Sequence, residues 1–115
     1  MRGYNRRMGR SIDSRIPVVG GVAYIEAVRR LPSTFPATLA AEPDNRYFRH
    51  AIAVLVDGAK VGYVAPEIAA NVYETVRASA TPLTCAGRRA SSFDHATSGV
   101  ELLLDFSGLS LAAAS

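Results

Sequence analysis

The stretch His50-Ala-Ile-Ala-Val-Leu-Val-Asp-Gly-Ala-Lys-Val-Gly-Tyr-Val64 decides the fold. From His50 to Val56 the side chains alternate, with Ile52, Val54 and Val56 on one face and Ala51, Ala53 and Leu55 on the other. Both faces are apolar, so the pattern predicts a central strand covered on both sides. Asp57-Gly58 is the residue pair that a two-residue hairpin loop favours, and Lys60 to Val64 returns as the partner strand.

Downstream, Pro66 suits the first turn of a helix and Glu67 its positive end. Ile68, Ala69, Val72, Tyr73 and Val76 recur at helical spacing, which predicts one amphipathic helix over 66–79, ended by Thr81-Pro82. Leu83 to Ala86 and Val100 to Phe106 read as two further strands, separated by a polar loop from Gly87 to Gly99. Upstream, the β-branched and aromatic run Ile16 to Ile25 reads as a strand, or a pair broken at Gly20-Gly21. Glycines at such a break mark a bulge or sharp bend where another backbone comes close. Leu31 to Thr38 holds two prolines and reads as a loop, with a short strand over 38–41. About six short strands and one helix predict a mainly β fold with some α, a small barrel with a helix across it.

The 115 residues suit a single domain, and 49% hydrophobic with 20% charged residues is a globular composition. No apolar run approaches the roughly 20 residues a membrane helix needs, and no signal-peptide core is visible. Together with a single cysteine, Cys85, this points to a reducing, cytoplasmic setting. The net charge of +3 is unevenly placed: residues 1–15 carry +4 and the remaining hundred −1. We expect a basic flexible arm over 1–15, a barrel domain over 16–108 and a flexible tail over 109–115. Such an arm attracts phosphate without sequence preference, or is solvated padding.

Motifs for catalysis are absent. Two histidines and one cysteine, without paired ligand spacing, predict no metal site. Asp94-His95 beside Ser91, Ser92 and Cys85 lacks a nucleophile elbow, and adjacent residues cannot orient one another as a triad requires. Glu42 and Asp44 flank Pro43 in a turn, where acidic residues commonly accept backbone hydrogen bonds. Gly20-Gly21 has neither the lysine nor the following helix of a phosphate loop, and Cys85 suits a buried strand position. Neither an enzymatic activity nor a cofactor is expected. What does carry chemistry is Arg46-Tyr47-Phe48-Arg49-His50, where aromatic and basic residues interleave. Rings stack on bases while guanidiniums hold phosphates; the alternative is that Tyr47 and Phe48 cap the barrel end among solvated arginines.

The segment from Glu42 to Val54, Glu-Pro-Asp-Asn-Arg-Tyr-Phe-Arg-His-Ala-Ile-Ala-Val, resembles the central Glu-Pro-x-Asn-Pro-Tyr-Asp-x-Asn-Ala-Ile-x-Val motif of HIRAN domains. The Val61-Gly-Tyr-Val-Ala-Pro66 element ahead of the helix and the opening Val19-Gly-Gly-Val-Ala-Tyr24 are similar too. The likeness spans about residues 16–108. It implies a modified-OB or SH3-like barrel, of a family fused to repair helicases and nucleases or standing alone in bacteria and phages. The family role it implies is gripping single-stranded DNA at a free 3′ end. On the matching positions Tyr24 and Tyr47 are stacking platforms, with Phe48, Arg46, Arg49 and His50 bordering the same pocket. Phe48 stands where the motif has the aspartate that accepts the terminal hydroxyl, and Ala23 where DNA binders have a phosphate-holding arginine. Arg46 and His50 replace a proline and an asparagine, and Ser98 falls near a late stacking aromatic. The resemblance therefore implies a non-catalytic strand-binding module with weakened end preference, acting with a helicase or nuclease partner and without a membrane. The alternative is a protein-interaction module that keeps the barrel alone.

Overall fold

The computed structural model describes residues 15–91 and 100–109. Most of the expected basic arm, the outer part of the polar loop with Asp94, His95 and Ser98, and the tail beyond Leu109 lie outside the described residues. The element order is β1 (Ile16–Val19), a 3-10 turn (Gly21–Tyr24), α1 (Ile25–Arg29), β2 (Thr34–Ala41), β3 (Ile52–Val56), β4 (Ala59–Val64), α2 (Pro66–Ala78), β5 (Leu83–Ser91) and β6 (Val100–Asp105). The six strands form a closed barrel in the order β1-β4-β3-β2-β5-β6, and every neighbouring pair is antiparallel. The mainly β barrel expected from the sequence is therefore present.

Its centre is the predicted hairpin. Asp57 and Gly58 both have positive φ, 52° and 82°, which matches the turn's twist to the strands it joins. Ile52, Val54, Val61, Val64 and Leu104 are fully buried inside the barrel. Ala51 and Ala53, on the other face of the hairpin strand, are buried as well. Helix α2 starts with Pro66, ends in a turn containing Arg77, and packs Ala69, Val72, Tyr73 and Val76 inward.

Four local expectations need correction. After β1 the chain does not continue as a strand: Gly20 turns at φ 78°, and Gly21–Arg29 coil into a 3-10 turn and α1. Burial of Val28 against the core overrides the β propensity of Val22, Tyr24 and Ile25. The supposed loop before Thr38 is the first half of β2. Pro36 is tolerated because β2 pairs with β3 only from Thr38 onward, so on that side no partner needs the missing N–H. Strand β5 continues through Gly87 to Ser91 rather than looping out; it stays paired with β6, and Arg89 donates to the Leu31 carbonyl at 2.6 Å. Finally, His50 is not in β3 but turns at φ 61° ahead of it.

The barrel closes at Gly62. Only Val18↔Val64 and Val19↔Tyr63 pair β1 with β4, and a Cβ on Gly62 (φ 152°) would lie 2.6 Å from Val18 Cγ1 and 2.7 Å from the Val19 carbonyl oxygen. Gly58, also at positive φ, has nothing within 4 Å of its Cβ position. Replacing Gly62 by Ala adds a backbone clash to the conformational strain and should cost about 2–4 kcal/mol. Gly58→Ala meets the conformational cost alone, about 1 kcal/mol. Urea unfolding of both variants checks this; equal losses would show that β1 and β4 do not meet at Gly62.

Candidate nucleic-acid interface

Two segments far apart in the sequence build one cleft. At the end of β1 the Gly20 turn brings Ala23 and Tyr24 to the barrel mouth. Between β2 and β3 a loop is closed at its base by Glu42 N–H donating to the Ala51 carbonyl at 2.9 Å. Inside this loop Asn45 Oδ1 accepts the backbone N–H groups of Tyr47 and Phe48, both at 2.8 Å. This side-chain-to-backbone turn is a habit of asparagine, and it presents Arg46, Tyr47 and Phe48 to the same mouth. Tyr63 of β4 completes the wall, with its ring centre 5.7 Å from that of Phe48 and tilted by 53°. The cleft has a volume of about 590 Å³ and is lined mostly by ring and aliphatic carbon. Tyr47 is 89% exposed, so its ring is not needed for the core.

Beneath the rings lies a closed polar network. Lys60 Nζ donates to Glu42 Oε2 at 2.6 Å and to the Tyr63 hydroxyl at 3.0 Å. The Tyr63 hydroxyl donates to Glu42 Oε1 at 2.8 Å, and Asn45 Nδ2 donates to the same oxygen at 3.0 Å. Glu42 thus fixes the orientation of the Asn45 amide, and Asn45 fixes the turn that carries Tyr47 and Phe48. The ammonium lies 5.9 Å from the Tyr24 ring centre, near enough for a weak cation–π attraction. Its 5.0 Å distance to the Tyr63 ring follows from the hydroxyl hydrogen bond.

The electrostatics agree with this geometry. Burial pushes the Glu42 carboxyl up, but hydrogen bonds from Lys60, Asn45 and Tyr63 outweigh it and hold the group below its ordinary value. The hydrogen bond to Glu42, joined by that to Tyr63, raises Lys60 well above an ordinary lysine. Lys60 pulls the Tyr63 phenol down while burial and the Glu42 carboxylate push it up; the push prevails, and Tyr63 stays protonated.

Of the six residues nominated from the sequence, Tyr24, Arg46, Tyr47 and Phe48 line this cleft together. Arg49 and His50 are not among its lining residues. The His50 turn places its ring 5.1 Å from Tyr73 of α2, away from the other four. Sequence reasoning did not nominate Asn45 or Tyr63, although both stand in the motif segments that carried the resemblance. It also took Glu42 as an acceptor of backbone hydrogen bonds, whereas its carboxylate accepts from three side chains.

A second cavity of about 670 Å³ lies where β2, β5 and β6 run side by side, lined by Pro36, Ala86 and Leu103 among others. Cys85 reaches it, half-buried rather than fully buried; burial, reinforced by the Asp105 carboxylate, pushes its thiol up to about 11. The raised value keeps the thiol mainly protonated at neutral pH, which lowers its thiolate fraction. Among the described residues no group of three or more His, Cys, Asp or Glu could hold a metal ion, and no helix is long and apolar enough to cross a membrane.

The described residues thus form a closed barrel with an aromatic cleft at its mouth. The family model of the HIRAN domain matches residues 14–98, most of the chain, and the chain belongs to that family. HIRAN domains are generally DNA-binding modules that recognise single-stranded 3′ ends, typically without catalysis of their own. No curated protein and no solved structure matches the chain.

Because Glu42 is held below its ordinary value, its network stabilises the fold fully above that value, and the contribution is lost as pH falls through the lowered one. Glu42→Gln, which weakens the charge-assisted bonds, should cost about 1–2 kcal/mol at pH 7. The gap between wild type and variant should close as pH falls from about 6 to 3. Urea midpoints across that range test it, and a gap independent of pH would contradict the assignment.

Proposed function

We propose that this chain is a non-catalytic nucleic-acid-binding module that grips single-stranded DNA through its 3′-terminal bases. Tyr47, Tyr24 and Phe48 offer ring faces for stacking, and Arg46 stands at the rim for a backbone phosphate. The observation that carries this reading is the convergence of these four side chains, from two separate segments, on one cleft whose outermost ring is almost fully solvated. A ring this exposed contributes little to the core, while a base stacked on it gains roughly 1–3 kcal/mol.

Arg49, exposed in the same loop, adds to the positive field that a strand would meet. His50, packed on Tyr73, lies outside the stacking set. The family's company of helicases and nucleases suggests a place in DNA repair or processing, beside a catalytic partner in the cytoplasm. The single half-buried cysteine suits that setting.

Tyr47→Ala should lower affinity for a short 5′-labelled oligothymidine by about tenfold or more, as loss of one stacking platform does. Its melting temperature should match wild type. Fluorescence anisotropy at two salt concentrations measures this, and each phosphate neutralised adds about 0.7 to the log–log salt slope. Unchanged binding by a folded Tyr47→Ala would sink the cleft as the binding site. Binding to a protein but to no strand would favour the interaction-module alternative.

A further inference from the structure

We infer that the cleft accepts strands ending in a 3′-phosphate at least as readily as strands ending in a 3′-hydroxyl. The inference deepens the strand-binding reading above and depends on it. A site selects a terminal hydroxyl when it holds an acceptor, best a carboxylate, that is left unpaired without that hydroxyl. The same carboxylate repels a phosphate dianion in that place.

Among the described residues this cleft holds no such group. Phe48 contributes a ring, packed against Tyr63. Asn45 Oδ1 already accepts two backbone N–H groups. Both oxygens of Glu42 are engaged beneath the rings, by Lys60 on one side and by Tyr63 and Asn45 on the other. Asp44 belongs to the same loop but does not line the cleft. The Tyr63 hydroxyl is spent in the network. The Tyr24 hydroxyl is hydrogen-bonded to that of Tyr63, so what remains for a ligand is ring faces, the phenol hydroxyl of Tyr47, and the guanidinium of Arg46, which is exposed and lines the cleft. A guanidinium suits a phosphate better than a hydroxyl because its paired donors match two phosphate oxygens. The polar chemistry that this wall offers a strand end is therefore donor-rich, and its one free charge is positive.

The test is anisotropy with two 5′-labelled oligothymidines that differ only at the 3′ end, hydroxyl or phosphate, at low salt. The phosphate-ended strand should bind equally or up to about fivefold tighter, the range an exposed charge pair gives. Arg46→Gln should weaken the phosphate-ended complex more and erase any advantage. Phe48→Asp should reverse the preference, with the hydroxyl-ended strand at least about tenfold tighter, the scale of one charge-assisted bond. If Phe48→Asp fails to fold, Arg46→Gln and the wild-type comparison still decide. Weaker binding of the phosphate-ended strand by wild type would overturn the inference and leave strand binding intact. Binding to neither strand would instead overturn the strand-binding reading itself.

Discussion

The fold turns on one close approach, where β4 passes β1 with hydrogen alone at Gly62. Next to it, Tyr63 faces the barrel mouth and Gly20 lies against the Tyr63 ring, so that a Cβ on Gly20 would come within 3.8 Å of it. The positive φ of Gly20 then turns the chain into the helical segment that carries Tyr24. Closing the barrel and bringing Tyr24 beside Tyr63 are thus consequences of the same contact. The shift in register between Val54 and Leu55 adds local bending to β4 just before Gly62.

The opposite wall depends on a single carboxylate. Glu42 gathers Lys60, Tyr63 and Asn45, and through Asn45 it sets the turn that displays Arg46, Tyr47 and Phe48. The two walls come from elements that make no regular pairing with one another, and the network ties them together across β4. Because the polar groups satisfy each other, they shape the cleft without being offered to a ligand. In the proposed binding mode, recognition would rest on ring faces, which every base can use, and on the Arg46 charge at the rim. Stacking on ring faces is tolerant of base identity.

Much of this was legible in the sequence because several signals are local. The Asp57-Gly58 turn, the alternation over 52–56 and the spacing of Ile68, Val72 and Val76 each report structure within a few residues, and each is present. The errors fell where tertiary pairing decides. Pro36 reads as a loop residue until β2 is seen to lack a second neighbour there, and Val22-Ala-Tyr-Ile25 reads as a strand until Val28 is seen in the core. Around the cleft, residue type pointed to Tyr24, Arg46, Tyr47 and Phe48, which line it, and to Arg49 and His50, which do not, but gave no sign of the network beneath them. Glu42, Lys60 and Tyr63 are up to 21 positions apart, and nothing in composition says that they meet. His50 was misplaced for the opposite reason: one residue of left-handed backbone sends its ring to α2 instead of to its sequence neighbours.

The most direct measurement is backbone amide shift mapping by NMR while a short single strand is titrated into the labelled protein. Shifts should concentrate on Gly20, Ala23, Tyr24, Asn45 to Phe48 and Tyr63, the two walls of one cleft. Shifts centred instead on Thr34, Thr84 and Ala86, around the larger cavity of β2 and β5, would contradict the account.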